Sequence, residues 1–340
     1  MILRRILFFP LSLIWFGITE LRNRFFDWGI LPSYKIPKKS ICIGNLSVGG
    51  TGKTPMTSFL AEMFFSEQKV QILSRGYGRK SKGFLNVSNS ETAESVGDEP
   101  FYYKLKFREQ VQVAVCEKRK HGIEQIGIDN YDLLLLDDAY QHRHVKADFT
   151  ILLTSYSNLF VDDYLLPSGN LRESGKNASR ANCIVITKCP DNLSISERNS
   201  IEDKLIRFGQ PIFFSHIKYE KFISFGRPIE SIEKIILVSG IANPKPLIDF
   251  VQKSFVTELV EFPDHHEFSK SEIDEIHRKI DTFTNDKTAI LTTEKDFARL
   301  YDKISDWKLN NYPWFYIPIQ LEFENEKEFK SLINNYVRAV

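Results

Sequence analysis

The sequence predicts an α/β protein: a mostly parallel sheet covered by helices, preceded by an apolar N-terminal helix and followed by a second, smaller α/β lobe. Three observations carry that expectation. Short apolar runs alternate with stretches of helical apolar spacing over most of the chain. The first of these runs opens into GNLSVGGTGKTP (44–55), a glycine-rich loop between a strand and a helix. The opening segment, residues 1–26, concentrates large apolar side chains that the rest of the chain spaces out.

The bulk numbers bound the alternatives. A chain of 340 residues makes one large domain or two ordinary ones, and 42% apolar with 26% charged residues is a globular composition. There is no internal repeat and no low-complexity tract. A net charge of +1 provides no global attraction to nucleic acid. The four cysteines, Cys42, Cys116, Cys183 and Cys189, form no C-x-x-C pair and no zinc-type spacing, so they read as reduced thiols of a cytosolic protein, mostly in the core.

In the N-terminal segment the continuous apolar run, Ile6 to Ile18, contains Pro10 and is flanked by Arg4, Arg5, Arg22 and Arg24. As a helix this run covers about 20 Å against a hydrocarbon core of about 30 Å, too short for a span. No small-x-small cleavage site follows, which argues against a signal peptide. An amphipathic helix at a membrane interface fits better, with arginines at anionic headgroups and Phe, Leu, Ile and Trp15 in the acyl boundary. The competing reading is a core helix of an ordinary domain.

Residues 38–44 read as a strand and PMTSFLAEMFF (55–65) as a helix, so the glycine loop between them has the context of a phosphate-binding loop. Backbone N–H groups of Gly49, Gly50, Thr51, Gly52, Lys53 and Thr54 would curl around phosphate oxygens at the positive end of the helix. Lys53 would reach the β and γ phosphates and Thr54 would offer its hydroxyl to Mg²⁺. Ser47 stands where the usual pattern opens with glycine. The bland alternative is a glycine turn that only joins strand to helix.

Further strands are expected at 70–74, 111–115, 132–136, 149–154 and 183–187, then a helix over 194–208. The resulting units are a P-loop core at 27–210, an extended bridge at 211–225, a smaller α/β lobe at 226–323 and a closing helix at 324–340. Within the second lobe the pattern gives strands at 234–239, 256–262, 288–293 and 314–317, with helices at 245–254 and 270–282.

Ligands of a parallel sheet bind beyond the carboxyl ends of its strands. YDLLLLDDAYQH (131–142) runs an apolar strand into Asp137 and Asp138, the place from which carboxylates hold Mg²⁺, with Gln141 and His142 one short loop away. A solvated acidic strand end is the alternative. Three other strand exits carry Arg75, Arg119 and Arg172, whose planar guanidinium groups suit phosphate, although each can equally be a salt-bridge partner. Glu173 can add a carboxylate to the metal shell. VGDEP places Asp98 in a loop before a helix, as a cap or as a functional acid. FPDHHEFS places Asp264, His265 and His266 at the end of a second-lobe strand. The DHH phosphoesterases share that triplet but also need D-x-D, which is absent here. An aspartate and a histidine facing the nucleotide site would form a proton-accepting pair.

In order, the apolar N-terminus, GNLSVGGTGKTP, LSRGYGRK, GDEP, LLLDDAYQH, LRESG, GIANP, PDHHEF and TTEKD closely resemble the tetraacyldisaccharide 4'-kinase family of the lipid A pathway, over nearly the whole chain. That family carries GNxxxGGxGKTP, so Ser47 is a family trait. The resemblance implies ATP-dependent phosphorylation of the 4'-hydroxyl of an acylated glucosamine disaccharide on the cytoplasmic face of the inner membrane, with ATP and Mg²⁺ as cofactors. It implies that Lys53 and Thr54 belong to the P-loop and that Asp137, Asp138, Gln141 and Glu173 belong to the metal and nucleotide environment. Asp98 matches the base and His265 its partner, with His266 as the alternative; Arg75 and Arg119 match positions near phosphate. It also implies two lobes joined by a short two-stranded linker. The rival is a membrane-bound switch ATPase with a KGGxGKT loop; its signature lysine position is Val48 here.

Overall fold

The structure is a computed structural model that describes residues 2–283 and 287–338. Met1, the Arg4 side chain and the last two residues of the expected closing helix, 339 and 340, lie outside what is described. Helix α1 (Ile2–Asp27) is followed by the short strand β1 (Tyr34–Lys35), β2 (Lys39–Asn45), α2 (Lys53–Phe64), β3 (Val70–Ser74), β4 (Leu85–Asn86), the single turn α3 (Ala93–Val96) and α4 (Asp98–Phe107). Next come β5 (Gln112–Val115), α5 (Arg119–Ile126), β6 (Leu133–Asp137), β7 (Val145–Lys146), β8 (Phe149–Ser155), β9 (Cys183–Thr187) and α6 (Ile195–Leu205).

Strands β1 and β7 pair with each other, and the others, with β10 (Ile212–Tyr219) and β16 (Ile319–Phe323), build a nine-stranded sheet in the order β16-β10-β9-β8-β2-β6-β3-β5-β4, parallel except at its two edges. Its central strands are covered on both faces, which is why β6 reads as an unbroken LLLL run and every residue in it is buried. One face packs Met56, Phe59 and Leu60 of α2 and Phe101 of α4; the other takes Ile123 and Ile126 of α5 and Ile201 and Leu205 of α6. The four cysteines are buried and unpaired, and burial pushes the Cys42 thiol up to about 12.

The second lobe holds β11 (Ile223–Ser224), β12 (Lys234–Ser239), α7 (Lys245–Gln252), β13 (Val256–Glu261), α8 (Lys270–Asp281), β14 (Thr288–Thr293), α9 (Glu294–Leu300), α10 (Asp306–Asn311) and β15 (Trp314–Ile317). Its sheet runs β11-β15-β14-β12-β13, with Leu247 and Val251 of α7 on one face and Ile273, Ile276 and Ile280 of α8 on the other.

Two strands join the lobes: β10 (Ile212–Tyr219) leads out and β16 (Ile319–Phe323) returns antiparallel to it, in register from Ser215↔Phe323 to Tyr219↔Ile319. The expected boundary shifts accordingly. Ile212, Phe213 and Phe214 pair with β9 and belong to the first sheet, and β16, which the sequence assigns to the second lobe, is the other half of the bridge. Helix α11 (Glu326–Arg338) then buries Phe329, Ile333 and Val337 against the first lobe.

Helix α1 is oriented against the usual rule. Its buried positions include the polar Ser12 and Asn23, whereas Ile6 and Leu7 are 69% and 67% exposed and Leu13, Ile14 and Ile18 also face outward. Polar bonds hold most of it, with Phe26 buried near its end: Ser12 Oγ donates to Leu165 O at 3.0 Å, and Trp15 Nε1 donates to Arg172 O at 2.9 Å. The core-helix reading therefore fails. No helix among the described residues is long and apolar enough to cross a membrane.

Candidate active site

The loop after β2 closes on itself through glycine. Gly52 caps α2 with φ 85°, a left-handed conformation that side chains other than glycine adopt at a cost. The exit of β9 supports the loop from the side: Thr187 Oγ1 donates to Thr51 O at 2.8 Å and Lys188 Nζ to Gly50 O at 2.6 Å. Sequence reading missed this support, although it is one more strand exit of the kind that flagged Arg75, Arg119 and Arg172. The Thr51 hydroxyl is buried with no protein partner, as a donor reserved for a ligand oxygen would be. Lys53 Nζ lies 3.4 Å from Asn45 Oδ1 and 3.6 Å from Asp138 Oδ2.

Asp137 ends β6 in the core, beside Thr57 and Ser74, and burial together with Asp138 pushes its carboxyl up to about 6. Asp138 follows with φ 46°, which turns its carboxylate out of the strand to meet both Lys53 and Arg172 Nη1, the latter at 3.2 Å. Arg172 also reaches Gln141 Oε1 at 3.3 Å. The P-loop lysine, the strand-end aspartate, Gln141 and Arg172 thus form one connected cluster.

Glu173 departs from its expected place among metal ligands. Its oxygens accept from Asn23 Nδ2 at 2.8 Å, Gln141 Nε2 at 3.1 Å, Asn177 Nδ2 at 3.0 Å and Arg180 Nη2 at 2.7 Å, and it is buried. Four donors saturate it as a structural anion that ties α1 to Gln141. Arg119 also departs from expectation: it is 2% exposed and donates to the backbone oxygens of Cys116 and Asp137. Burial lowers its guanidinium to about 10, and it braces two strand ends from inside rather than facing a substrate. Arg75 is exposed at the exit of β3.

Asp98 is the first residue of α4 rather than a loop or cap residue. The turn before it is Gly97, at φ 96°, where a Cβ would sit 3.0 Å from Tyr77 O. The second lobe meets Asp98 there. His265 Nδ1 lies 3.0 Å from Asp98 Oδ2, and Arg299 Nε donates to the same oxygen at 2.7 Å. Burial pushes the Asp98 carboxyl up, but these two partners outweigh it and hold it below the usual carboxylate range. The bond to Asp98 raises His265 in turn, against burial and the Arg299 charge. Of the two histidines, His265 reaches Asp98; His266 is spent on Glu272 Oε1 at 3.0 Å. The lobes also touch where Lys295 pairs with Glu99 at 3.5 Å and Tyr102 bonds Glu294. Burial lowers Lys188, at the P-loop, with the Lys295 charge adding to the shift and Asp264 opposing it. Nothing in the local pattern marked Arg299, which lies beyond the TTEKD segment.

A divalent ion is implied by a P-loop. Among the described residues no cluster of three or more His, Cys, Asp or Glu side chains is suited to a metal. Mg²⁺ on a nucleotide needs only one or two protein oxygens because phosphates and water supply the rest. The hydroxyl of Thr54 with the carboxylates of Asp137 and Asp138 fits that smaller requirement, whereas the Glu173 carboxylate is occupied by its four donors.

Residues 4–338 match the family model described as LpxK, tetraacyldisaccharide-1-P 4'-kinase. The chain is 42% identical over 342 residues to the tetraacyldisaccharide 4'-kinase of Flavobacterium psychrophilum, covering 97% of this chain and 96% of that one. It is 43% identical to the tetraacyldisaccharide 4'-kinase of Flavobacterium johnsoniae, covering 99% and 98%. Among solved structures, the "apo" form LpxK from Aquifex aeolicus in complex with ATP superimposes with a TM-score of 0.75 at 28% identity, over 98% of this chain and 99% of that one.

Proposed function

The chain belongs to the tetraacyldisaccharide-1-P 4'-kinase family, and from that premise we infer how its cleft carries out the reaction. The protein is an ATP-dependent kinase that phosphorylates the 4'-hydroxyl of the tetraacylated glucosamine disaccharide 1-phosphate in lipid A biosynthesis. The P-loop backbone from Gly49 to Thr54 cradles the ATP phosphates, and Lys53 follows the charge of the transferring group. In this reading Lys53 leaves Asp138 for the nucleotide, and Asp138, Thr54 and Asp137 would hold Mg²⁺, which would supply charge neutralisation for the transferring phosphoryl group. Arg172, held by Asp138 and Gln141, stands beside the same phosphates. Arg75, at the rim, faces the phosphate of the lipid.

The observation that carries the reading is the Asp98–His265 pair. A sugar hydroxyl must lose its proton during attack on phosphorus, and the pair offers an ionised carboxylate to take it. Because the two residues come from different lobes, the acceptor is assembled only when the cleft is closed, which restrains idle hydrolysis of ATP. A switch ATPase needs no such acceptor, and its signature lysine is replaced by Val48.

The lipid arrives from a membrane, and α1 suits the cytoplasmic face of the inner membrane as a peripheral or monotopic anchor. Its outward row of Ile6, Leu7, Ile14 and Ile18 supports that placement, with the exposed Arg24 available for anionic headgroups. The test is transfer of labelled γ-phosphate to purified disaccharide 1-phosphate in mixed micelles. Label should appear on the 4'-position only with divalent metal, and ATP should turn over slowly without lipid. ATP hydrolysis that is independent of lipid and leaves it unlabelled would reject the kinase reading.

A further inference from the structure

The TTEKD segment and the glycine that opens GIANP converge on one side chain. Thr293 Oγ1 accepts from Asp296 N at 3.1 Å, capping α9, and donates to Asp296 Oδ2 at 2.8 Å. Gly240 N donates to that same oxygen at 3.0 Å. So fixed, Asp296 presents Oδ1 to Arg299 Nη1 at 2.8 Å, and Nη1 also donates to Gly240 O at 2.9 Å. Arg299 is 3% exposed and Asp296 is fully buried, so the guanidinium plane is set within the second lobe by groups that have no freedom of their own. On its remaining edge Nε crosses to the first lobe and meets Asp98 Oδ2 at 2.7 Å, while Nη2 lies 3.2 Å from His265 Nδ1.

Arg299 and His265 both bond to Oδ2 of Asp98, which leaves Oδ1 outside the two bonds. A carboxylate gripped by one oxygen from a rigid donor cannot swing its other oxygen away. We propose that Arg299 is a positioning residue for phosphoryl transfer: it fixes the Asp98 carboxylate across the lobe interface so that Oδ1 is the oxygen offered to the sugar hydroxyl. The inference rests on Asp98 as the proton acceptor. It gives the Thr293–Asp296–Gly240 assembly a task, which is to hold the arginine that holds the base. The other charged groups about the pair are Glu99 on α4, Asp264 beside His265, and Lys295 on α9. None of them is bonded to Asp98 as Arg299 is; Lys295 is engaged with Glu99.

The experiment compares Arg299→Met, Arg299→Lys, Asp98→Asn and the Asp98→Asn/Arg299→Met double variant of the full chain in the mixed-micelle assay, with kcat and the KM for ATP measured separately. Misplacing a reacting group by about 1 Å costs roughly 10²-fold in rate. Arg299→Met is therefore expected to lower kcat by about 10- to 100-fold with the KM for ATP within about twofold, and Arg299→Lys to recover part of the loss. In the presence of Asp98→Asn, Arg299→Met should cost less than about twofold more, because the arginine has nothing left to position. If Arg299→Met does not fold, Arg299→Lys alone and with Asp98→Asn makes the same comparison, its smaller loss vanishing beside Asp98→Asn. Full kcat in the arginine variants, or a loss that multiplies that of Asp98→Asn, overturns the proposal while leaving the base intact. Near-normal kcat in Asp98→Asn overturns the base and the proposal together.

Discussion

Asn23, on the N-terminal helix, donates to Glu173 at 2.8 Å, and the same glutamate accepts from Gln141 beside the P-loop. Two side chains thus link the helix with the outward apolar row to the nucleotide end of the cleft. Asn23 Oδ1 also accepts from Arg143 and Arg180. Asn23→Ala removes a bond to a buried anion and should destabilise the protein by about 1–3 kcal/mol. The check is a urea titration, accompanied by limited proteolysis that should cut α1 more readily.

The exposed row on α1 allows a test that leaves the fold alone. Leu7→Glu with Ile14→Glu replaces two exposed side chains, so the melting temperature should stay within a few degrees while binding to anionic vesicles falls about 10-fold or more. Unchanged flotation of the doubly substituted protein would remove α1 as the membrane contact.

Lys53→Ala should lower turnover by about 10²-fold or more, the usual cost of losing one preorganised charge at a transferring phosphoryl group. Thr54→Ala should shift the metal titration to higher concentration. A Lys53→Ala protein that folds and phosphorylates lipid normally is the result that contradicts the P-loop assignment.

Asp98→Ala should cost on the order of 10² to 10⁴ in turnover with nucleotide affinity retained, and His265→Ala a similar or smaller factor. Since one bond joins the two, the double variant should be little worse than the poorer single variant. Multiplicative losses in a four-point kinetic cycle would show that they act separately.

His277 offers a pH signature away from the cleft. Its Nε2 accepts from Trp314 Nε1 at 2.9 Å, its ring stacks on Tyr312 at 3.9 Å, and burial lowers it to about 4. The folded protein resists a proton that the unfolded chain takes up near pH 6.5, so this contribution is full above about 6.5 and is lost as pH falls toward about 4. His277→Gln cannot take up that proton. Its urea midpoint should therefore fall less steeply than that of the parent between pH 6.5 and 4; parallel curves would contradict the assignment.

Much of the fold was legible because its cues are local. Strands β3, β9, β12, β14 and β15 have the bounds their apolar runs define, since a buried parallel strand needs nothing but continuous apolar side chains. The P-loop was equally legible, because glycine, lysine and threonine at fixed spacing are the chemistry itself. Helices α9 and α10 were not seen: each is short, and α9 is ordered by packing against α4 and by its Thr293 cap more than by any amphipathic period.

By itself the sequence determined which residue types stand at the strand ends, and it offered Lys53, Asp138, Gln141 and Arg172 as candidates for the phosphate site, while Asp98 and His265 came with the family resemblance. The tertiary structure alone decided which partners Glu173, Arg119 and Arg299 take. An ionisable side chain is read by its partners, and theirs are remote in the chain: Asn23 lies 150 residues from Glu173, and Asp98 lies 201 from Arg299. The direction in which α1 turns its apolar face belongs to the same class. Periodicity fixes which residues share a helical face, but only the polar seats for Ser12 and Asn23 on the first lobe determine which face is left outside.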